Sequence, residues 1–529
     1  MDKLADYYCQ QFARMKDMRV NWERNWEDIA EYVLPRKDDV YGVRISGERK
    51  YQRLYDSTSI HANELLASAL SSMLVSQSNK WLGFSTGDED LDMKPDVRLY
   101  MQEVSDIILK TYAHTNFYTE VHETFLDLGS IGTSTLYQGE HPDDDVFFRS
   151  RPIYGFYVAV DSYKQISTIT YDMRYTYKQL VDEYGEEVLP DDVKNKGQQN
   201  IMTEFTVIEF IEPNKTYDPK APKVKTNRPV RSIHILQDTK TLVRESGYHE
   251  MPYAVPRWTV CNNEIYGRSP AMKAMPDIKM VNAMMKVVIR GAQKVVDPIL
   301  MVPDNGFLLP LDTTPGGVNI YRQGMRDRIE PLLTQSRPDI GQDLVESFRQ
   351  QIKQAFFIDQ LQLRNGPQMT ATEVMQRTEE QLRLMGPIVS RFNREMLRPH
   401  IDRTFGILQR KGKLPEAPEE LRGKDLQIRF TSQIAKAQKA SQADTLMRVV
   451  QASSALIETN PQVMDNFNAD WILRNHGDIF GLSEKAFNKV EDVQKGRQDQ
   501  AEAAKERELS ETQNIDADTA QKVAGIEGQ

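Results

Sequence analysis

The chain contains very little cysteine. Cys9 and Cys261 are the only cysteines among 529 residues, and they lie far apart in the sequence. This excludes a disulfide framework and a cysteine-rich zinc module. Such sparing use is typical of a protein that is made in a reducing cytoplasm. We expect both thiols to be ordinary, half-buried groups without a catalytic role.

Long apolar runs and an excess of basic residues are also missing. No apolar stretch approaches the ~20 residues of a membrane-spanning helix, and Met1–Glu31 lacks the apolar core of a signal peptide. We therefore expect a soluble protein without a targeting segment. The formal net charge is −10. A free nucleic-acid binder usually carries a basic surface, but an acidic chain can surround DNA without gripping it.

The standard catalytic motifs are absent. Gly423–Lys424 lacks the rest of a phosphate-binding loop, and His122–Glu123 and His249–Glu250 lack the second histidine of a zinc protease. No nucleophile elbow is present. His141–Asp145 could offer hard oxygens to a divalent cation, but an acidic turn between strands is the simpler interpretation. We predict no catalytic residue, no metal site and no cofactor; a nuclease-like enzyme is a minor alternative.

The first half of the chain predicts an α+β body. Apolar residues at intervals of three or four predict a helix that ends before Pro35, and three further helices follow. Short runs rich in Tyr, Phe, Ile, Val and Thr then predict strands between Gly129 and Pro270. The predicted helices are Leu4–Leu34, Ser59–Val75, Asp96–Thr115, Asn116–Leu128 and Tyr175–Tyr184. The predicted strands are Thr133–Gln138, Val146–Arg151, Tyr154–Val160, Ile166–Tyr171, Phe205–Glu212, Ser232–Gln237 and Tyr253–Cys261.

A long helix is predicted over Ala271–Asp297. Apolar residues spaced alternately by four and three form one stripe along it, and Lys279, Lys286, Arg290 and Lys294 lie on the nearly opposite face. This basic face is either a solvated surface whose alkyl stems cover apolar neighbours or a surface that faces DNA phosphate. The next segment contains many proline and glycine residues, which predicts turns between short strands. A second helix predicted over Asp339–Leu363 then completes a helical hairpin.

The remaining chain is mostly helical. A polar loop, Arg364–Met369, precedes a capping box at Thr370–Glu373. The long helix that follows contains Gly386–Pro387, where we expect a kink. The sequence then predicts a strand at Asp425–Thr431 and helices over Gln433–Phe487. From Glu491 onward the chain has ten acidic and five basic residues, which predicts a flexible or loosely helical tail.

Several short motifs, taken together in their order and spacing, resemble the head-to-tail connector (portal) proteins of short-tailed bacteriophages. The segments that carry the resemblance are Trp22–Glu31 with Tyr32–Arg36, Tyr55–Thr58, Ala67–Leu74, Trp81–Phe84, Tyr266–Pro270 and Gly366–Val374. Each motif is weak alone, but they extend over most of the chain.

The resemblance implies a portal-like subunit with a wing, a two-helix stem, a small β-rich clip, a long kinked helix and a helical crown, assembled as a ring. The implied divisions are the N-terminal helices and wing 1–270, stem helices 271–297 and 339–363, clip 298–338, tunnel loop 364–372, kinked helix and return strand 373–432, crown 433–490 and tail 491–529.

The resemblance also implies a role. Such proteins form rings, typically dodecamers, at one vertex of the virion capsid, where they nucleate head assembly, dock the terminase motor and later bind tail or adaptor proteins. Double-stranded DNA passes through the channel during packaging and ejection. The candidate channel residues are Arg364, Asn365, Gln368, Lys353, Lys279, Lys286, Arg290 and Lys294; the candidate docking residues of the clip are Arg322, Arg326 and Arg328. The alternative is a capsid-associated scaffold or tail adaptor that does not enclose DNA.

Overall fold

A computed structural model describes most of the chain. The described residues are 3–37, 54–92, 94–221, 224–296, 300–301, 330–331, 338–361, 385–421, 426–430 and short stretches between 448 and 505. The protein is α+β. It divides into two compact units: Met1–Gln77 with Thr111–Lys411, and Ser78–Lys110 with Gly412–Gln529.

The larger unit combines antiparallel sheets with long helices, numbered here along the chain. Its helices are α1 (Lys3–Tyr32), α2 (Thr58–Leu74), α5 (Phe117–Ser130), α6 (Tyr177–Tyr184), α7 (Asp191–Gln199), α8 (Pro270–Val296), α9 (Pro338–Ala355), α10 (Ile358–Leu361) and α11 (Arg398–Arg410). Its strands are β2 (Thr135–His141), β3 (Asp145–Arg151), β4 (Phe156–Val160), β5 (Ile166–Thr176), β6 (Glu204–Pro213), β7 (Val230–Leu236), β8 (Thr241–Tyr248), β9 (Tyr253–Ala254), β10 (Leu300–Met301) and β11 (Glu330–Pro331).

A five-stranded antiparallel sheet in the order β4-β5-β6-β7-β8 forms the centre of this unit. Because side chains alternate along a strand, β6 buries Ile208 and Phe210 against α1 on one face, and Phe205 and Val207 against α6 and α7 on the other. The helical spacing of Tyr8, Phe12 and Met15 supplies the apolar side of α1. The sheet is therefore covered on both faces.

Strands β2, β3 and β9 form a second antiparallel sheet, in which His141 and Asp145 face each other at the β2–β3 turn. Of the strand predicted at Tyr253–Cys261, only Tyr253–Ala254 is a strand, so that prediction is largely wrong. Pro256 has no backbone N–H to donate to a ladder. The next residue, Arg257, donates its N–H to Glu395 instead, at 3.0 Å.

The predicted helical hairpin is present as α8 and α9, which pack against each other. The ends of the segment between them pair as the short antiparallel strands β10 and β11. The second helix is shorter than predicted: it ends at Ala355, and α10 begins at Ile358. Phe356 and Ile358 are both buried, and Phe357 between them adopts a positive φ of 61°. Packing of two neighbouring apolar side chains thus interrupts a helix that contains no proline or glycine there.

Residues 385–392 are helical and continue into α11 through a π-helical turn, Asn393–Leu397. Gly386–Pro387, where a kink was expected, are helical, but the turn that precedes them lies outside the described residues. An irregular turn occurs later, at Asn393–Leu397. Pro399 accounts for the position of the π-helical turn. Proline has no backbone N–H, so it cannot donate the hydrogen bond that the Glu395 carbonyl would accept in a regular helix. We refer to 385–410 as the long helix.

The smaller unit contains β1 (Leu82–Ser85), α3 (Glu89–Asp92) and β12 (Gln427–Phe430). Helix α4 (Pro95–His114) lies mainly in this unit. β1 and β12 form an antiparallel pair with Leu82 opposite Phe430. The strand predicted at Asp425–Thr431 is thus present, whereas β1 was not predicted.

Two smaller expectations also needed correction. Strand β8 and helix α7 were not predicted. Cys9 is half-buried as expected, but Cys261 is exposed. The capping box at Thr370–Glu373 and most of the predicted crown and tail lie outside the described residues.

Candidate functional site

The hairpin of α8 and α9 has a well-packed inner side. On α8, the apolar stripe buries Ala274, Ile278 and Val281, and on α9 Val345 and Ile352 are buried. Burial declines toward the end of α8, where Val288 is half-buried and Ala292 is exposed. Among the described residues, the burial of α8 is therefore greatest along its first half.

Apolar side chains also occur on the outer side of the hairpin. Met280 is 50% exposed and Val287 is 69% exposed on α8, and Leu344 is 51% exposed on α9. A helix that is apolar on more than one face is typical of one that is buried in a larger structure. The outer side therefore has the composition of an interaction surface.

The four basic residues of α8 differ in their contacts within the subunit. Lys279 forms an ion pair with Asp28 at 2.8 Å, and its ammonium lies 5.9 Å from the centre of the Tyr32 ring. Lys286 lies over the Tyr55 ring at 5.5 Å. Arg290 and Lys294 are exposed and form no ion pair with any other described residue. Among the described residues, therefore, only the far half of the basic face has no partner within the subunit.

Lys353 lies elsewhere on the hairpin. It lines a cleft of about 460 Å³ between the start of α2 and the end of α9, together with His61 and Gln350. Its ammonium is 3.9 Å from Glu346. The other candidates, Arg364, Asn365 and Gln368 in the predicted tunnel loop and Arg322, Arg326 and Arg328 in the predicted clip, lie outside the described residues.

An ion pair that the sequence did not reveal fixes the hairpin to the body. Arg349 on α9 donates from Nε and Nη2 to Asp56 Oδ2 at 2.9 and 2.7 Å. Burial alone would raise the pKa of Asp56, but hydrogen bonds from Thr58 and Arg349 outweigh it, so that the pKa lies below its ordinary value. Nearby, the Tyr55 N–H donates to Asn282 on α8 at 2.7 Å.

The long helix is joined to the body by a second, more deeply buried pair. Arg257 donates from Nη2 to Glu395 Oε1 at 2.7 Å, and its side chain is only 5% exposed. Glu395 belongs to the π-helical turn. The neighbouring Trp258 ring contacts Phe357, at 6.2 Å between centroids, just after α9. The loop that carries Arg257 and Trp258 thus contacts both the end of the hairpin and the long helix.

A buried polar network holds α11 against β2. Gln138 donates to Thr404 at 2.7 Å, and its Oε1 lies 3.0 Å from His400 Nδ1. Arg403 donates to the carbonyl oxygens of Gln138 and Glu250 at 3.1 and 2.9 Å. Burial, reinforced by Arg403, lowers the pKa of His400 to about 3, so that the imidazole is neutral. These groups position the helix.

The acidic run at His141–Asp145 is a turn, as the simpler interpretation expected. Lys411 donates to Asp145 Oδ1 at 3.0 Å and to the His141 carbonyl at 2.9 Å, so that a lysine ammonium already occupies the acidic turn. Across the part of the chain that the structure describes, no three His, Cys, Asp or Glu side chains form a metal-binding group. Within the same ranges, no helix has the length and apolar character needed to cross a bilayer.

Residues 5–487 match the family described as bacteriophage head to tail connecting protein. This match extends over nearly the whole chain. The chain belongs to the head-to-tail connector family. Like other portal proteins of this family it is a structural component of the virion, located at the portal vertex.

Two relatives support this assignment across the full length of the connector. A probable portal protein of Bordetella phage BPP-1 is 30% identical over 98% of this chain and 94% of its own length. The portal protein of Salmonella phage epsilon15 is 27% identical over 98% of each chain. A chain of a native gene transfer agent virion is similar at a TM-score of 0.36 and 10% identity, over 80% of the connector and 95% of that chain.

Proposed function

We propose that the connector assembles into a closed ring, a dodecamer, around a channel for double-stranded DNA. The match to the connector family over residues 5–487 carries this proposal. The hairpin supports it, because its outer side exposes apolar residues such as Val287 that a monomer would leave in water. A closed ring would cover them with a second copy of the chain.

The hairpin is the stem in this proposal, and the chain divides as the resemblance implies. The ring would nucleate head assembly with capsid and scaffold proteins, dock the terminase motor and then bind tail or adaptor proteins, after synthesis in the host cytoplasm. DNA would pass through it during packaging and ejection. The clip arginines Arg322, Arg326 and Arg328 would face the docking partners. The connector has no enzymatic activity of its own in this scheme.

Channel contacts should be weak and independent of sequence, because DNA has to slide. We assign them to Arg364, Asn365 and Gln368 first. Lys353 and the basic face of α8 are the second candidates, and a neighbouring subunit is the competing partner for the basic face. Scattered cations attract phosphate without reading bases, and salt screens this attraction. The net charge of −10 on each subunit limits adhesion elsewhere.

The first test is negative-stain electron microscopy of the purified connector, with averages viewed down the symmetry axis. We expect rings of about twelve subunits with a central hole wide enough for duplex DNA. Monomers or solid particles at every salt and protein concentration would favour the adaptor that does not enclose DNA.

The channel assignment needs a separate test. We expect Arg364→Glu to leave ring formation intact and to reduce the amount of DNA that filled particles retain. Unchanged packaging and retention would remove Arg364 from the channel surface. Lys178→Glu is the matched control, because Lys178 is an exposed lysine on the wing helix α6.

A further inference from the structure

The two helices of the stem hairpin carry opposite charges at the same level. A Cβ atom at Gly341 of α9 would lie 3.2 Å from Val288 Cγ2 of α8, so these positions are in contact. Lys286 and Arg290 lie two residues to either side of Val288, and Asp343 lies two residues beyond Gly341. A positive surface on α8 therefore lies beside a negative surface on α9.

These charges point away from each other within the subunit. Among the described residues, no ion pair joins the basic face of α8 to Asp343 or Glu346, both of which are exposed on α9. Glu346 is approached only loosely, by Arg349 at 3.5 Å and Lys353 at 3.9 Å on its own helix. The complementary charges are left unpaired across the hairpin.

Each of the two surfaces also contains an exposed aliphatic side chain. Val287, 69% exposed, is the direct neighbour of Lys286, and Leu344, 51% exposed, is the direct neighbour of Asp343. Apolar side chains surrounded by charge are usual at the centre and rim of protein interfaces. Each surface therefore offers an apolar side chain beside charged ones, which are positive at Lys286 and Arg290 on α8 and negative at Asp343 and Glu346 on α9.

We propose that Lys286 and Arg290 of one subunit pack against Asp343 and Glu346 of the next subunit. This inference rests on the proposed ring. A ring made by rotation needs two different surfaces on each subunit that fit one another, and α8 and α9 provide one each. Val287 and Leu344 are covered in the same contact. This part of the basic face thus binds a second copy of the chain rather than DNA.

The charges set the alignment of neighbouring hairpins more than the strength of the interface. An exposed ion pair contributes about 1 kcal/mol or less. Like charges brought together in a wrong alignment oppose association. Because the contact repeats at every interface of the ring, one substitution per subunit changes all of them.

The test is a charge exchange in the full-length connector. Arg290→Glu and Asp343→Arg are made singly and together, and the fraction of rings is measured by negative stain and native mass spectrometry at low and high salt. Each single reversal is expected to lower the ring population at least about tenfold. The double variant is expected to regain most of it. Both residues are exposed, so circular dichroism should be unchanged in all variants.

Lys178→Glu, an equal change of charge at an exposed position on α6, serves as the control and should form rings normally. Unchanged rings in both single variants overturn the inference but leave the ring itself intact. Loss in both singles without recovery in the double also overturns the pairing. If Arg290→Glu forms rings that retain less DNA, the basic face contacts DNA instead. Absence of rings in the wild type refutes the proposed function itself.

Discussion

The junction between the wing and the long helix differs from the outer side of the stem hairpin in how charge is paired. At the junction, Arg257 and Glu395 satisfy each other in a buried contact. On the hairpin, Arg290 and Lys294 are exposed and lack a partner among the described residues. The subunit therefore completes one region by itself and leaves the other with groups suited to a partner.

The difference should appear as a contrast between stability and assembly. Removing one partner of a buried ion pair lowers the free energy of unfolding strongly, because the remaining charge is left in a region of low polarity. Substituting an exposed charge changes the stability of the subunit little, since water solvates the charge. Substitutions at the junction should therefore lower the free energy of unfolding, whereas substitutions on the outer hairpin should mainly affect its contacts with other molecules.

The largest expected effect is at the junction. Glu395→Ala leaves Arg257 buried without its carboxylate, and we expect unfolding to require about 3–5 kcal/mol less free energy. Urea denaturation measures this. The matched control is Glu264→Ala, which breaks a pair with the more exposed Arg268 and should cost less than about 1 kcal/mol. Equal losses in the two variants would remove the distinction between buried and exposed pairs.

The attachment of the hairpin should show the next largest effect. Asp56→Asn weakens the charged hydrogen bonds from Arg349, with an expected loss of about 1.5–3 kcal/mol. The pKa of Asp56 is lowered in the folded protein. Its contribution is therefore complete above the ordinary pKa of about 3.9 and disappears as the pH falls through the lower, folded value. Denaturation at pH 7 and pH 3 should show a smaller difference between the variant and the wild type at the lower pH.

The polar network of α11 predicts an acid sensitivity. His400 has a folded pKa of about 3, whereas in the unfolded chain it titrates near 6.5, its ordinary value. Below that ordinary value the unfolded state binds the proton more readily, so stability falls as the pH decreases toward 3. The contribution of this group is up to about 1.4 kcal/mol per pH unit. His400→Gln should flatten the pH dependence of thermal unfolding; an unchanged profile would contradict the assignment.

The smallest effect on the isolated subunit is expected on the outer hairpin. Val287→Ser should change the free energy of unfolding by about 0.5 kcal/mol or less, because the side chain is already in water. Ring formation, measured by native mass spectrometry, should nevertheless decrease. A strongly destabilised monomer would show that Val287 packs within its own subunit.

Regular patterns in the sequence predicted most of the described elements. The repeats along α1 and α8 predicted both ends of these helices to within a few residues, because each helix buries one face against the body. The breaks were less predictable. Phe357 interrupts α9 through packing of its neighbours, and the π-helical turn depends on Pro399 rather than on Gly386–Pro387.

The candidate site was only partly predictable. Basic residues on one face of α8 follow directly from helical periodicity, so the sequence was enough to find them. Their partners were not, because Asp28 contacts Lys279 across 251 positions of sequence and Asp56 contacts Arg349 across 293. No local pattern identifies which of 77 acidic residues meets a given cation.

The pairing of β1 with β12 has a consequence for biosynthesis. Leu82 faces Phe430 in this antiparallel pair, so the first strand emerges from the ribosome long before its partner exists. At roughly 5–20 residues per second, β1 waits for tens of seconds with its backbone hydrogen-bonding groups open. An open strand edge invites pairing with another chain. During this interval the nascent connector is therefore exposed to pairing of β1 with other chains that are being translated at the same time.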